Sequence, residues 1–192
     1  MKFILPITFI AILIFSSCEK TSITNGPDIQ PPLVALSYDG ANNDAPLLPA
    51  ATYEAATMFP KEDISDLLGG KLIEVYYYIR DVPVSSTIKI YKKSDSDGPL
   101  DLIYSEVTTN DLKGRSWNKH ILKSPVEITD DDLWISLKFT HTSQTGSIGC
   151  DLGPAVDNGD WLLDSADGLW IPLSQRAGIN INWNIRGVVD PG

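Results

Sequence analysis

At 192 residues, 43% hydrophobic and 21% charged, the chain is long enough for one domain with a packed core, and its composition excludes wholesale disorder. Its formal net charge of -10 repels nucleic-acid backbones and anionic lipid surfaces alike, so a nucleic-acid partner is excluded. Lys2 precedes an apolar run from Phe3 to Phe15, too short to cross a bilayer, and Ser16 and Ser17 then lead into Cys18. Residues 1–17 therefore read as a lipoprotein signal peptide. The run Ile14-Phe15-Ser16-Ser17-Cys18 resembles a bacterial lipobox, in which the cysteine accepts a diacylglycerol and becomes the first residue after cleavage. Each buried CH₂ of such an anchor contributes about 0.8 kcal/mol of membrane affinity. The expected partner of this end is a membrane, and the expected location is the outer membrane, facing the cell exterior.

With Cys18 carrying lipid, Cys150 has no partner and the fold stands without an intrachain disulfide. Between Ile148-Gly149 and Asp151, Cys150 reads as a small buried thiol. Residues 18–32 are polar and rich in Pro, Gly, Ser and Thr, which makes them a tether. Glu19 and Lys20 resemble the charged surface-export signals of Bacteroidota lipoproteins.

Residues 33–192 form the expected domain. A short strand is predicted over Leu33–Tyr38, ending at Asp39-Gly40, and Ala51–Phe59 carries both helix and strand signals. Lys61–Leu68 predicts one or two helical turns, stopped by Gly69-Gly70. Lys71–Arg80 alternates Ile73, Val75, Tyr77 and Ile79 against Glu74, Tyr76, Tyr78 and Arg80, which predicts a strand with the first set inward. Thr87–Lys92 repeats the pattern with Ile88 and Ile90 inward. Further strands are predicted at Leu102–Val107, Trp117–Leu122 and Leu133–Thr140, the last with Leu133, Ile135, Leu137 and Phe139 on one side and Trp134, Ser136 and Lys138 on the other. A final strand over Ile179–Val189 sets Ile181, Trp183 and Ile185 against Asn180, Asn182, Asn184 and Arg186. About eight to ten short strands at this spacing predict an all-β, antiparallel β-sandwich of jelly-roll or galactose-binding-like type, with one short helix near 61–68.

Three stretches taken together resemble a known module: TYEAATMFPKEDISDLLGGKLIEVYYYI, then SWNKHILKSPVEI with DLWISLKF, then GCDLGPAVDNGDW with NINWNIRGVV. They are similar to the jelly-roll-like accessory module that recurs in Bacteroidota secreted peptidases, adhesins and surface lipoproteins. The resemblance implies a noncatalytic module that binds carbohydrate or protein. With a lipid anchor in place of an enzyme domain, this chain's activity is expected to be its own contacts.

Catalytic motifs are scarce. His120 and His141 are the only histidines, and neither a Gly-x-Ser-x-Gly elbow nor a His-Glu-x-x-His zinc motif occurs, so serine and zinc hydrolysis lack their parts. Sequence selects no carboxylate pair for glycoside cleavage. Asp151, Asp157 and Asp160 crowd one loop and offer the oxygens that calcium prefers, but Asp and Asn beside Gly are also what turns require, and the expectation is no cofactor. The candidate ligand-binding residues are those predicted to project from the noncore side: Tyr76, Tyr78, Trp134, Asn182, Asn184 and Arg186. Aromatic rings cover the apolar side of a pyranose while amides and a guanidinium bond its hydroxyls. Trp117, Trp161 and Trp170 are assigned to loop anchoring and core. The expected function is a cell-surface lipoprotein that binds an extracellular glycan or protein, the alternative being a structural or assembly subunit.

Overall fold

Ten strands form among the described residues, 32–95 and 98–192 of a computed structural model, those over Ser85–Asp95 and Ile185–Asp190 on alternation of inward and outward side chains. The signal peptide, Cys18 and the tether up to residue 31 lie outside the described residues. The strands are β1 (Val34–Leu36), β2 (Thr52–Phe59), β3 (Lys71–Ile79), β4 (Ser85–Asp95), β5 (Gly98–Val107), β6 (Ser116–Glu127), β7 (Leu133–Thr140), β8 (Trp161–Asp164), β9 (Leu169–Pro172) and β10 (Ile185–Asp190). One sheet has the order β1-β10-β3-β6, the other β5-β4-β7-β2-β8-β9, and every pairing is antiparallel. If the β8–β9 hairpin is set aside, two four-stranded sheets remain whose strands alternate between layers except at the β4–β5 hairpin, which is the double Greek key of a jelly roll. The hairpin is an addition that continues the second sheet beyond β2.

The core lies between the sheets. Leu133, Ile135, Leu137 and Phe139 of β7 are buried facing it, with Ile88 and Ile90 of β4 beside them, as alternation predicts. From the opposite sheet come Leu72, Val75, Tyr77 and Ile79 of β3, with Ile185 and Val189 of β10. Fully burying such a side chain is worth about 1.5–3 kcal/mol. Cys150 is a free buried cysteine, so this packing acts without help from a disulfide among the described residues.

Three expectations need correction. In β3 the inward residue near the strand's start is Leu72, not Ile73, because Ile73 is an extra residue against β10, where Val189 pairs with Leu72 and Val188 with Glu74. The extra residue of a bulge turns the earlier side chains over, and simple alternation misses it. The segment 61–68 supplies only a 3₁₀ turn, Ser65–Leu67, whose neighbourhood delivers Ile64 into the core. The α-helix is elsewhere: α1, Leu173–Ala177, follows Pro172 and stops at Gly178, whose φ of 69° fits the left-handed cap. The last strand is also shorter than its alternating pattern. Residues 179–184 bond to loops instead, with Asn184 N–H donating to Gly149 O and Trp183 N–H to Gly159 O, both at 2.9 Å.

His141, just past β7, is sealed at 4% exposure between the Tyr53 and Phe139 rings, with its Nε2 2.8 Å from Ser147 Oγ. Burial holds this imidazole's pKa below its ordinary 6.5. The folded protein therefore binds fewer protons here than the unfolded chain, and the stability His141 contributes is present above pH 6.5 and lost as pH falls through the lowered folded value. Urea midpoints measured from pH 7 down to about pH 5, above the range of ordinary carboxylates, should fall for the wild type and stay level for His141→Gln. The bulge has its own check: Leu72→Ala should cost about 2–5 kcal/mol of unfolding free energy, whereas Ile73→Ala should cost about 1 kcal/mol or less.

Candidate ligand-binding face

Register alone decides which side chains share the outer side of the four-stranded sheet. Tyr77 and Val75 turn inward, so Tyr76 and Tyr78 turn outward, and their partners across the ladder are Lys119 and Trp117 of β6. On the other flank Arg186 of β10 stands directly opposite Tyr76. Strand order β10-β3-β6 thus gathers Arg186, Tyr76, Tyr78, Trp117 and Lys119 on one half-exposed surface, bordered by the exposed Ile121.

The groups are fixed by mutual contacts. The Arg186 guanidinium lies 4.3 Å from the Trp117 ring centroid, and Tyr78 meets the same indole edge-on at 5.9 Å and 82°. Asp39, whose side chain is wholly buried, accepts from Arg186 Nε at 2.9 Å and Nη2 at 2.8 Å. Arg186 Nη2 also donates to Gly40 O. Glu74 accepts from Tyr76 OH at 3.0 Å and pairs with Lys119 Nζ at 2.6 Å, while the same ammonium lies 5.7 Å from the Tyr76 ring centroid. Each cation therefore has a carboxylate partner, and the surface carries aromatic rings without net positive charge. Gly149 closes one end of it. A Cβ there would come within 2.7 Å of Tyr78 Cδ1 and 2.5 Å of Asn42 Oδ1, so only glycine allows this approach.

Of the six residues predicted for this surface, Tyr76, Tyr78 and Arg186 come together, and three do not reach it. Trp134 belongs to β7 in the other sheet and is 1% exposed. The β8–β9 hairpin covers it, placing the Trp161 and Trp170 rings 5.2 and 5.6 Å away. Asn182 and Asn184 are buried because they bind loops rather than solvent. Asn184 Nδ2 donates to Asp39 Oδ2 at 2.5 Å, and Asn182 Nδ2 donates to Asp151 Oδ2 at 2.9 Å. Trp117 is the residue that sequence reasoning sent to the core. Its position opposite Tyr78, two strands from Arg186, was readable only once strand order was known.

The second sheet buries polar groups on its own outer side. Glu54 of β2, 1% exposed, pairs with Lys89 Nζ at 2.9 Å and accepts from Tyr91 OH at 2.7 Å and Ser136 Oγ at 2.6 Å. Burial, then Glu54's charge, raises the Tyr91 pKa. These groups satisfy one another as a structural cluster. Among the acidic loop residues, Asp151 takes N–H donors on both oxygens, from Gly153 and Asn182 on Oδ1 and from Gly40 and the Asn182 side chain on Oδ2. Asp160 Oδ2 accepts from Ser174 N at 2.8 Å, and Asp157 is exposed. Among the described residues no group of three or more His, Cys, Asp or Glu side chains converges as a metal site. Cys150 lines a cavity of about 460 Å³ with Leu47, Leu152 and Ile181, but burial pushes its thiol up to about 11, so it stays protonated at neutral pH. His120 belongs to a clasp between sheets, with Nε2 2.9 Å from Tyr104 OH and 3.5 Å from Glu106 Oε2.

No family model matches this chain, and no curated protein matches it. Two solved structures are similar to it, to different degrees. The clostridial cysteine protease Cwp84 after propeptide cleavage superposes with a TM-score of 0.59 at 9% identity, over 86% of this chain and 41% of that one. A structure of the cysteine protease and lectin-like domains of Cwp84, a surface layer associated protein of Clostridium difficile, gives 0.49 at 10% identity, over 72% and 32%. This chain thus spans about two fifths of the first neighbour's length, and at that identity the likeness shows the β-sandwich fold alone.

Proposed function

We propose that the protein is a noncatalytic module that binds an extracellular glycan on the outer side of its four-stranded sheet. The observation that carries this reading is the convergence of Trp117, Tyr76, Tyr78 and Arg186 on one half-exposed surface. Sugar rings present C–H groups that pack on aromatic rings and hydroxyls that bond to guanidinium, phenol and carboxylate groups. Because Asp39 neutralises Arg186 and Glu74 neutralises Lys119, the surface favours an uncharged glycan over an anionic one.

The module is of the accessory kind found in Bacteroidota surface proteins, held at the outer membrane through lipid on Cys18. The lipobox-like sequence supports the anchor. Calcium is not required by this reading, since the binding groups are rings and paired ions.

A glycan array probed with the purified protein should give signal for uncharged oligosaccharides, and Trp117→Ala should weaken the best of them at least tenfold, about 1.4 kcal/mol. A blank array, together with one constant protein recovered by affinity capture from intact cells, would favour an assembly subunit instead. Metabolic labelling with an alkyne fatty acid should mark the wild type and leave Cys18→Ala unmarked and released from membranes. Equal membrane retention of both would remove the anchor from the account.

A further inference from the structure

We infer a second binding site, a polar cavity that takes one uncharged sugar ring between α1 and the loop before β8. It measures about 350 Å³ and is lined chiefly by Asp157, Asn158, Asp160, Trp161, Gln175 and Asn180. That lies at the small end of the roughly 300–1,000 Å³ typical of ligand pockets, suited to one ring rather than a chain. No lining residue belongs to the Trp117 surface, and the inference does not depend on that surface binding anything.

The walls are held before any ligand arrives. Asn182 Oδ1 accepts from Val156 N at 2.8 Å while its Nδ2 donates to Pro154 O at 3.0 Å, which pins the loop that forms one side. Gly159 passes so close to that amide that a Cβ would lie 2.4 Å from Asn182 Oδ1. On the opposite side Asp160 ties down α1 twice, its carbonyl accepting from Leu173 N and its Oδ2 from Ser174 N, both at 2.8 Å. Trp161 is fixed from behind by the Trp134 ring at 5.2 Å and at its edge by Nε1–H donating to Asn158 Oδ1 at 3.3 Å. Asn158 holds φ at 72°, a left-handed conformation that Asn tolerates better than most residues.

The chemistry of the lining selects the ligand. A half-exposed indole offers an apolar wall, and amides of Gln175 and Asn180 both donate and accept. Asp160 lines the cavity at 3% exposure, and with Oδ2 holding the Ser174 N–H its carboxylate adds an acceptor for a hydroxyl. No Lys, Arg or His lines the cavity, while two carboxylates do, so uronic acids and phosphorylated sugars are repelled. Its polar walls disfavour an acyl chain.

The test titrates the full chain with glucose, galactose, mannose, fucose and N-acetylglucosamine separately, with glucuronic acid as the anionic control. Ligand-observed saturation-transfer NMR and indole fluorescence report binding. At least one uncharged sugar should bind and glucuronic acid should not. Asp157→Asn and Gln175→Ala, both exposed positions that carry no packing, should weaken it at least fivefold, and Trp161→Phe should do so while retaining contact with Trp134. Trp117→Ala should leave it unchanged. Silence with all five sugars overturns the inference, as does wild-type binding by Asp157→Asn and Gln175→Ala together. Loss of the sugar in Trp117→Ala alone moves the site to the sheet surface, and heat from calcium chloride with none from any sugar makes the cavity a cation site; either outcome refutes it.

Discussion

Two buried carboxylates hold this domain's loops to its last strand and to the segment leading into it. Burying an ionised carboxylate costs several kcal/mol unless donors surround it. Asp151 and Asp39 are both so surrounded. Burial alone would raise the Asp151 pKa, but the Asn182 side chain and the N–H groups of Asn182, Gly40 and Gly153 outweigh it and leave the carboxyl below its ordinary range. Asp39 accepts hydrogen bonds from Asn184 and Arg186, the next polar positions along the chain. Every polar side chain from Asn182 to Arg186 is thereby committed to a loop that sequence separation puts far away. The consequence reaches both candidate sites, because Asp39 sets the Arg186 guanidinium on Trp117 and Asn182 sets the loop that walls the polar cavity.

The two outer sides of the sandwich differ for a topological reason. The four-stranded sheet ends at β1 and β6 with no further strand pair over its outer side among the described residues, so its rings stay half-exposed. The other sheet continues past β2 into β8 and β9, and this hairpin brings Trp161 and Trp170 onto Trp134. Trp170 even approaches Gly98 of β5, where a Cβ would lie 2.5 Å from its Cδ1, so the first and last strands of that sheet come near each other. The sheet must curl strongly for this to happen, and its middle, with Glu54 and Ser136, becomes an interior.

The identity of every strand but β2, β8 and β9, and the inward sets of β4 and β7, were legible in the sequence, because two-residue alternation is a local property. Lipid attachment rests wholly on sequence and stands apart from the fold. What alternation conceals is whether the outward set meets water. Trp134, Asn182 and Asn184 alternate like surface residues yet are buried by partners about 30 to 145 positions away. Ile73 fails for a local reason, the bulge, which leaves no composition signal when neither residue involved is glycine. Trp117 fails in the other direction, since only strand order reveals that a β6 indole shares a surface with a β10 arginine. Half of the six predicted residues therefore reach the surface, and that half is the pair of tyrosines and the arginine whose neighbours in register also face outward.

The hairpin that buries Trp134 also makes the polar cavity. Trp161 opens β8 with its ring backed by Trp134, and Pro172 ends β9 directly before α1, whose Ser174 N–H is held by Asp160. A jelly roll without this addition would expose Trp134 on a flat sheet and have no wall facing the loop at 155–161. The added pair of strands thus exchanges an exposed aromatic side for an enclosed one, moving one indole from the sheet's middle to its rim. Enclosure favours a small ligand held on several sides, whereas the uncovered sheet opposite favours a longer one lying across strands. A single sandwich then carries two candidate surfaces of different shape, both governed by whether a strand pair lies over a tryptophan.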